Sequence, residues 1–177
     1  MLLAGVGLVA LSPIIILVCL LASCDTRSPL FAQERVGRYQ QTFLLFKFRT
    51  MRLETPSVAS HLAETKYITR LGQILRRTKL DELPQLWNVF VGDMSLVGPR
   101  PGLTTQIELI EVRQGNDVFF VRPGITGLAQ IRGIDMSTPK ILAETDAKMI
   151  ATMSIRNYFR YILQTVFGKG RGDAIRR

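Results

Sequence analysis

The first 24 residues, Met1 to Cys24, contain no Asp, Glu, Lys or Arg and are rich in Leu, Val, Ile and Ala. No other feature constrains the chain so much, because the length and the lack of charge match a bilayer. A continuous helix over this block would reach about 36 Å, enough to cross a membrane. Pro13 lies in the middle of it, in "LVALSPIIILV". Proline removes a backbone donor and clashes with the preceding turn. Two conformations compete. In one, the helix kinks and still spans. In the other, it breaks at Ser12-Pro13 into arms of about 12 residues, each about 18 Å long, which enter and leave by the same face.

The remaining chain carries all 23 Lys and Arg and all 14 Asp and Glu, and with them the whole net charge of +9. A basic body beside an apolar anchor points to an anionic lipid surface, a phosphorylated substrate, or both. The charge is spread along the chain and no RNA or DNA motif is present, so nucleic acid is not expected as a partner. The two cysteines, Cys19 and Cys24, lie in or at the end of the apolar block and supply neither a disulfide framework nor a metal cluster for the polar body. The stretch "LASC", Leu21 to Cys24, fits a lipoprotein cleavage pattern, but no basic residue precedes the run as it does in a secretory signal. The single histidine, His61, falls in a polar stretch and reads as an exposed loop or helix-start residue.

With 177 residues, one domain is the natural reading. "SPLFAQERVG" reads as a short strand followed by a turn at Gly37. "TFLLFKFRTM" reads as a second strand, with Phe46, Phe48 and Thr50 alternating with Lys47 and Arg49. A helix is predicted from Glu64 to about Thr78, with Ile68, Leu71, Ile74 and Leu75 on one face. Pro84 suits the first turn of a helix that starts near Asp81 and ends at Gly92. "SLVGPRPG" reads as a rigid loop, and "VRPGITGLAQIRG" as a Pro-Gly turn with short extended pieces. Further helices are predicted around Thr104–Gln114 and Pro139–Met149. Ile155, Tyr158, Phe159, Ile162, Leu163, Val166 and Phe167 then recur at helical spacing, with Arg156 and Arg160 off the stripe. That pattern suits either a core-packing helix or one lying in a membrane interface, with Lys169, Arg171, Arg176 and Arg177 just beyond.

The residues able to carry chemistry concentrate in "KLDELPQLWNVFVGDMSLVGPRP". Asp81 and Glu82 fall at a predicted helix N-terminus, where acidic residues suit the helix dipole. The same placement favours an ionised carboxylate, which can act as a nucleophile or bind a divalent cation. Arg100 lies between Pro99 and Pro101, which restrict the backbone that presents it, and a guanidinium suits bidentate contact with phosphate. Lys47, Arg49, Arg76 and Arg77 add positive charge. Taken one at a time, each reads as a solvated side chain.

"KFRTM", "LRRTKLDELPQLWNVFVGDMSLVGPRP" and "RPGITGLAQ", in this order after an apolar segment with a central Ser-Pro, closely resemble the bacterial sugar transferases, the monotopic polyprenol-phosphate phosphoglycosyl transferases. The resemblance runs from Leu11 to about Gly168. It implies a mostly α fold with short β elements (α+β) and a monotopic membrane enzyme. Residues 1–24 would form a re-entrant membrane helix broken at Ser12-Pro13. Residues 25–177 would form a catalytic domain at the cytoplasmic face of the bacterial inner membrane, with interfacial amphipathic helices, as one structural unit.

The implied reaction moves a sugar-1-phosphate from a UDP-sugar, here expected to be an N-acetylated amino sugar, to undecaprenyl phosphate, with Mg²⁺ as cofactor. Asp81 matches the nucleophile and Glu82 the second carboxylate of the dyad, the two together serving the metal. Arg100, with Pro99 and Pro101, matches the phosphate-binding Pro-Arg-Pro motif. Lys47, Arg76 and Arg122 match further basic residues of the substrate site. UDP-sugar, undecaprenyl phosphate and membrane lipids are the implied partners, and self-association is left open.

Some residues depart from the family pattern. Lys79 stands where a small hydroxyl residue is common, Leu128 replaces a frequent Trp, and Tyr158 stands where many members are acidic. The chain begins in the apolar run, without the short basic-aromatic stretch usual ahead of it, so a truncated or misassigned start is one expectation. The alternative function is a non-catalytic, membrane-anchored scaffold of the same fold, in which Asp81 is only a cap and Arg100 only a turn residue.

Overall fold

The computed structural model describes residues 1–55 and 65–168. His61, the start of the predicted helix at Glu64, and the basic tail from Lys169 lie outside the described residues. The fold is mostly helical with short strands, an α+β arrangement. The described residues divide into two compact units: 1–33, 45–55 and 65–90 in the first, 34–44 and 91–168 in the second.

In the first unit the apolar block forms two helices, α1 (Leu2–Ala10) and α2 (Ser12–Thr26). The pair is bent by 62° at Leu11, and no single helix among the described residues is long and apolar enough to cross a membrane alone. The cause is local. Pro13 occupies the first turn of α2, where its missing N–H costs nothing, and Ser12 Oγ donates to Val9 O at 2.8 Å across the break. The helices stay largely uncovered: Leu2, Val6, Val9, Ile16 and Leu20 are all exposed. On their inner side, Val18, Ile15 and Cys19 of α2 pack with Phe48, Leu75, Leu71, Leu80 and Leu83.

Strands β1 (Leu30–Val36) and β2 (Thr42–Phe48) pair as a hairpin around the turn Arg38–Gln40. The base of the hairpin belongs to the first unit and its tip to the second. The alternation predicted for β2 breaks at its end, where Lys47 and Phe48 are both buried. Helix α3 (Arg70–Thr78) is shorter than predicted because Thr69, not an earlier residue, caps it, accepting a hydrogen bond from Gly72 N. Its inward face is Leu71, Gly72 and Leu75. Ile74, predicted to face inward, is exposed, and Ile68 pairs in a β-bridge with Met51. Helix α4 (Gln85–Val91) closes the unit, with Gly92 at φ 99° after it.

The second unit is built around a two-stranded parallel sheet, β3 (Ser95–Val97) with β4 (Gly124–Thr126), in register Ser95–Gly124 and Val97–Thr126. β3 falls in a stretch read from sequence as a rigid loop, and β4 in one read as a Pro-Gly turn with short extended pieces. The chain just past β3 lies against the start of β4 so closely that a Cβ on Gly124 would overlap the Gly98 backbone. Helix α5 (Ile107–Gly115) runs between the two strands. Then come α6 (Leu128–Arg132), α7 (Pro139–Ala151) and α8 (Ile155–Val166). Val97, Met149 and Tyr161 form one core cluster of this unit, and Leu109, Ala129 and Leu142 another. Helix α8 packs one side into the core and leaves apolar residues exposed on the other. Tyr158, Tyr161 and Ile162 pack inward, whereas Ile155, Phe159, Leu163 and Val166 are exposed beside its arginines.

Candidate active site

The first unit carries the acidic pair. Asp81 and Glu82 lie in a single 3₁₀ turn, Leu80–Glu82, and both are buried, at 3% and 8% relative exposure. Asp81 is not a helix cap. The chain leaves α3 through Lys79 in the left-handed conformation (φ 58°, ψ 15°), and α4 begins only after Pro84. Lys79 is therefore the hinge residue that turns the chain into the acidic turn, a position no sequence pattern marked. Leu80 and Leu83, on either side of the pair, pack into the cluster formed with Val18 of α2, so the apolar stretch of that helix helps fix the turn.

The basic residues of this unit are not simple surface charges. Lys47 is buried, with Nζ 5.6 Å from the centroid of the Phe31 ring. Arg76 Nε donates to Thr50 Oγ1 at 2.8 Å, just past the end of β2. Each of Lys47, Arg76, Asp81 and Glu82 makes at least one further polar or electrostatic interaction.

Two polar residues that sequence reasoning missed complete this region. Gln85 and Asn88 are buried on α4, three residues apart and so on one helical face. Asn88 Oδ1 accepts from Phe46 N at 3.1 Å, tying α4 to the strand that carries Lys47. Their signal was present: two amides at helical spacing in the short apolar segment "LPQLWNVF". Among the described residues, no group of three or more His, Cys, Asp or Glu is arranged to hold a metal ion.

The second unit carries Pro99, Arg100, Pro101 and Arg122. Pro99 and Pro101 are buried, Arg100 is half-buried and Arg122 is exposed. Gly124 N donates to Pro99 O at 2.8 Å, which ties the Pro-Arg-Pro stretch to the Arg122–Gly124 turn. Tyr158, at a position often acidic in the resembling family, shares a 3.1 Å hydrogen bond with Ser95 at the head of β3. The structure thus brings Lys47, Arg76, Asp81 and Glu82 into one unit, and Pro99, Arg100, Pro101 and Arg122 into the other.

These features define an α+β protein in which the turn carrying a buried acidic pair packs on the second helix of a sharply bent apolar pair. The chain belongs to the bacterial sugar transferase family, whose profile matches residues 1–170. It is 38% identical over 167 residues to the UDP-glucose:undecaprenyl-phosphate glucose-1-phosphate transferase of Caulobacter vibrioides, covering 88% of this chain and 62% of that protein. It is 37% identical over 183 residues to the exopolysaccharide production protein PSS of Rhizobium leguminosarum bv. phaseoli, covering 94% and 92%. To the UDP-galactose-lipid carrier transferase of Erwinia amylovora it is 33% identical over 176 residues, covering 88% and 36%. The chain therefore spans about a third of the Erwinia relative, under two thirds of the Caulobacter one, and nearly all of the Rhizobium one.

Proposed function

We propose that the protein transfers a sugar-1-phosphate from a UDP-sugar to undecaprenyl phosphate at the cytoplasmic face of the membrane, through a covalent intermediate on Asp81. One observation carries the reading: two adjacent buried carboxylates held in a turn whose flanking Leu80 and Leu83 pack on the apolar stretch of helix α2 around Val18. A group placed there meets a water-soluble nucleotide sugar and a lipid-borne acceptor at one boundary. The 62° bend at Leu11 supports a re-entrant anchor that returns to its own side, since arms of 9 and 15 residues are each shorter than the hydrocarbon core needs.

In the first half-reaction an Asp81 carboxylate oxygen attacks the β-phosphorus. The bond from that phosphorus to the bridging oxygen breaks, and UMP leaves with the electron pair. In the second, an oxygen of the polyprenyl phosphate attacks the same phosphorus and expels Asp81, giving the diphosphate-linked sugar. Glu82 holds or accepts the proton of the incoming phosphate. Arg100, Arg122, Lys47 and Arg76 bind and neutralise the phosphates.

Asp81 and Glu82 are the carboxylates that would hold Mg²⁺, an ion commonly bound through one or two carboxylates together with substrate phosphate. When bound, it would screen the diphosphate charge and polarise the phosphorus. The amino-sugar preference is tested against the hexoses named in the relatives by offering UDP-N-acetylglucosamine, UDP-glucose and UDP-galactose. The decisive experiment is intact-protein mass spectrometry after mixing with a UDP-sugar and no acceptor. A phospho-sugar adduct on Asp81 with release of UMP is the expected result. An adduct on Glu82 contradicts the assignment of Asp81 as nucleophile, and no UMP from any UDP-sugar contradicts the reaction and would favour the scaffold alternative.

A further inference from the structure

Between Pro99 and Gly102, every main-chain carbonyl is taken, each from outside the loop. Gly124 N reaches Pro99 O at 2.8 Å, Arg113 Nη1 reaches Arg100 O at 2.8 Å, Arg35 Nη1 reaches Pro101 O at 3.1 Å, and Val36 N reaches Gly102 O at 2.9 Å. Two of the four donors are buried guanidinium groups, Arg113 at 2% and Arg35 at 7% exposure. Arg113 is held in turn by Asp146 of α7, which accepts on Oδ2 from Nε at 3.1 Å and Nη2 at 2.7 Å. Asp146 is fully buried, and its Oδ1 has no hydrogen-bond partner.

This is a costly way to satisfy a carbonyl. Each buried ion loses several kcal/mol of hydration, and a buried pair is weak evidence for stability. Its geometry does something a neutral donor cannot. The planar fork of Arg113 grips a carboxylate along one edge while its other amino group fixes the carbonyl of Arg100 itself. The loop needs such outside donors, because Pro99 and Pro101 have no N–H with which to build a local ladder.

We propose that Asp146, Arg113 and Arg35 are positioning residues that set the backbone of Arg100 so that its guanidinium meets substrate phosphate. This rests on the reading of Arg100 as a phosphate-binding residue.

The test is UMP release by the full chain in detergent, with undecaprenyl phosphate and varied UDP-sugar, beside thermal melting. Lysine keeps the charge of Arg113 and loses the fork. Arg113→Lys should lower kcat/KM by about 10- to 100-fold through a raised KM, the scale of loss that misplacement by about 1 Å produces. Its effect should vanish, to within about twofold, in an Arg100→Ala background, because both changes then act on one interaction. Arg35→Lys should show the same non-additivity with a smaller single loss, and it decides the matter if Arg113→Lys melts too early to assay. Losses that multiply with Arg100→Ala, wild-type kinetics in both lysine variants, or loss of fold in both would overturn the inference while leaving the proposed function standing. A wild-type protein with no UMP release from any UDP-sugar would overturn the proposed function first.

Discussion

The acidic turn of the first unit and the Pro-Arg-Pro loop of the second are both short, polar and free of regular α or β structure, yet they are held in opposite ways. Leu80 and Leu83 plug the acidic turn into an apolar cluster with Val18, Phe48 and Leu75. The proline loop hangs from four hydrogen bonds, two of them from buried arginines. The first support is non-directional and tolerates a change of shape at the cost of stability. The second is directional, and tolerates a change of stability better than a change of geometry. A carboxylate that moves a phosphoryl group gains from a firm, water-poor seat. A phosphate-binding arginine gains from an exact aim.

The largest effect should come from the acidic turn. Asp81→Asn is expected to lower turnover by about a thousandfold or more, as removal of a covalent nucleophile does, with a melting temperature near that of the parent. Turnover within about tenfold of the parent would show that the chemistry lies elsewhere. Next in size, Leu75→Ala should cost about 2–5 kcal/mol in denaturant unfolding, because the residue is 2% exposed in the cluster beneath the turn. KM for the UDP-sugar should stay within about twofold. A KM shift as large as that of Arg113→Lys would break the contrast drawn above. Thr69→Ala removes the cap that accepts from Gly72 N at the start of α3 and should cost about 0.5–2 kcal/mol, read in the same unfolding experiment.

The smallest effect concerns pH. Burial raises the pKa of Asp146 above its ordinary 3.8, against the pull of the neighbouring Arg113 charge and its hydrogen bond. A carboxyl whose folded pKa lies above its unfolded value favours the folded state most when protonated. That contribution is complete below about 3.8 and is lost as pH rises through the raised folded value. Asp146→Asn should remove this fall from the curve of unfolding midpoint against pH. Identical slopes in parent and variant would contradict it.

Much of the first unit was legible because its signals are local. The absence of charge marks the apolar pair, Pro13 marks the break, and aromatic-aliphatic runs mark β1 and β2. The acidic turn was located but misread in detail. Pro84 does suit a helix start, yet the chain enters through left-handed Lys79, so the pair sits before α4 rather than capping it. The burial of Lys47 was hidden because a strand end can turn both of its last side chains inward. In the second unit short extended pieces were read around β4, but β3 and its parallel pairing with β4 escaped notice. Each strand is three residues long, and parallel partners 29 positions apart leave no mark on local periodicity. The Arg113–Asp146 pair was invisible for a similar reason, its partners being 33 positions apart.

The hold on the Pro99–Gly102 loop also sets an order of events in time. Arg35 lies 66 positions before the carbonyl it binds, and Asp146 lies 33 after the arginine it steadies. Joining ends so far apart is entropically costly, and contacts of this kind form late. During synthesis the helix pair α1–α2 emerges while most of the second unit is still unmade. The arginine loop takes its working shape only after α7 has left the ribosome. Pulse-labelled hydrogen exchange should find the Val36 and Gly124 amides protected later than those of α3. The apolar helix pair would thus form before the hold on the Pro99–Gly102 loop is complete.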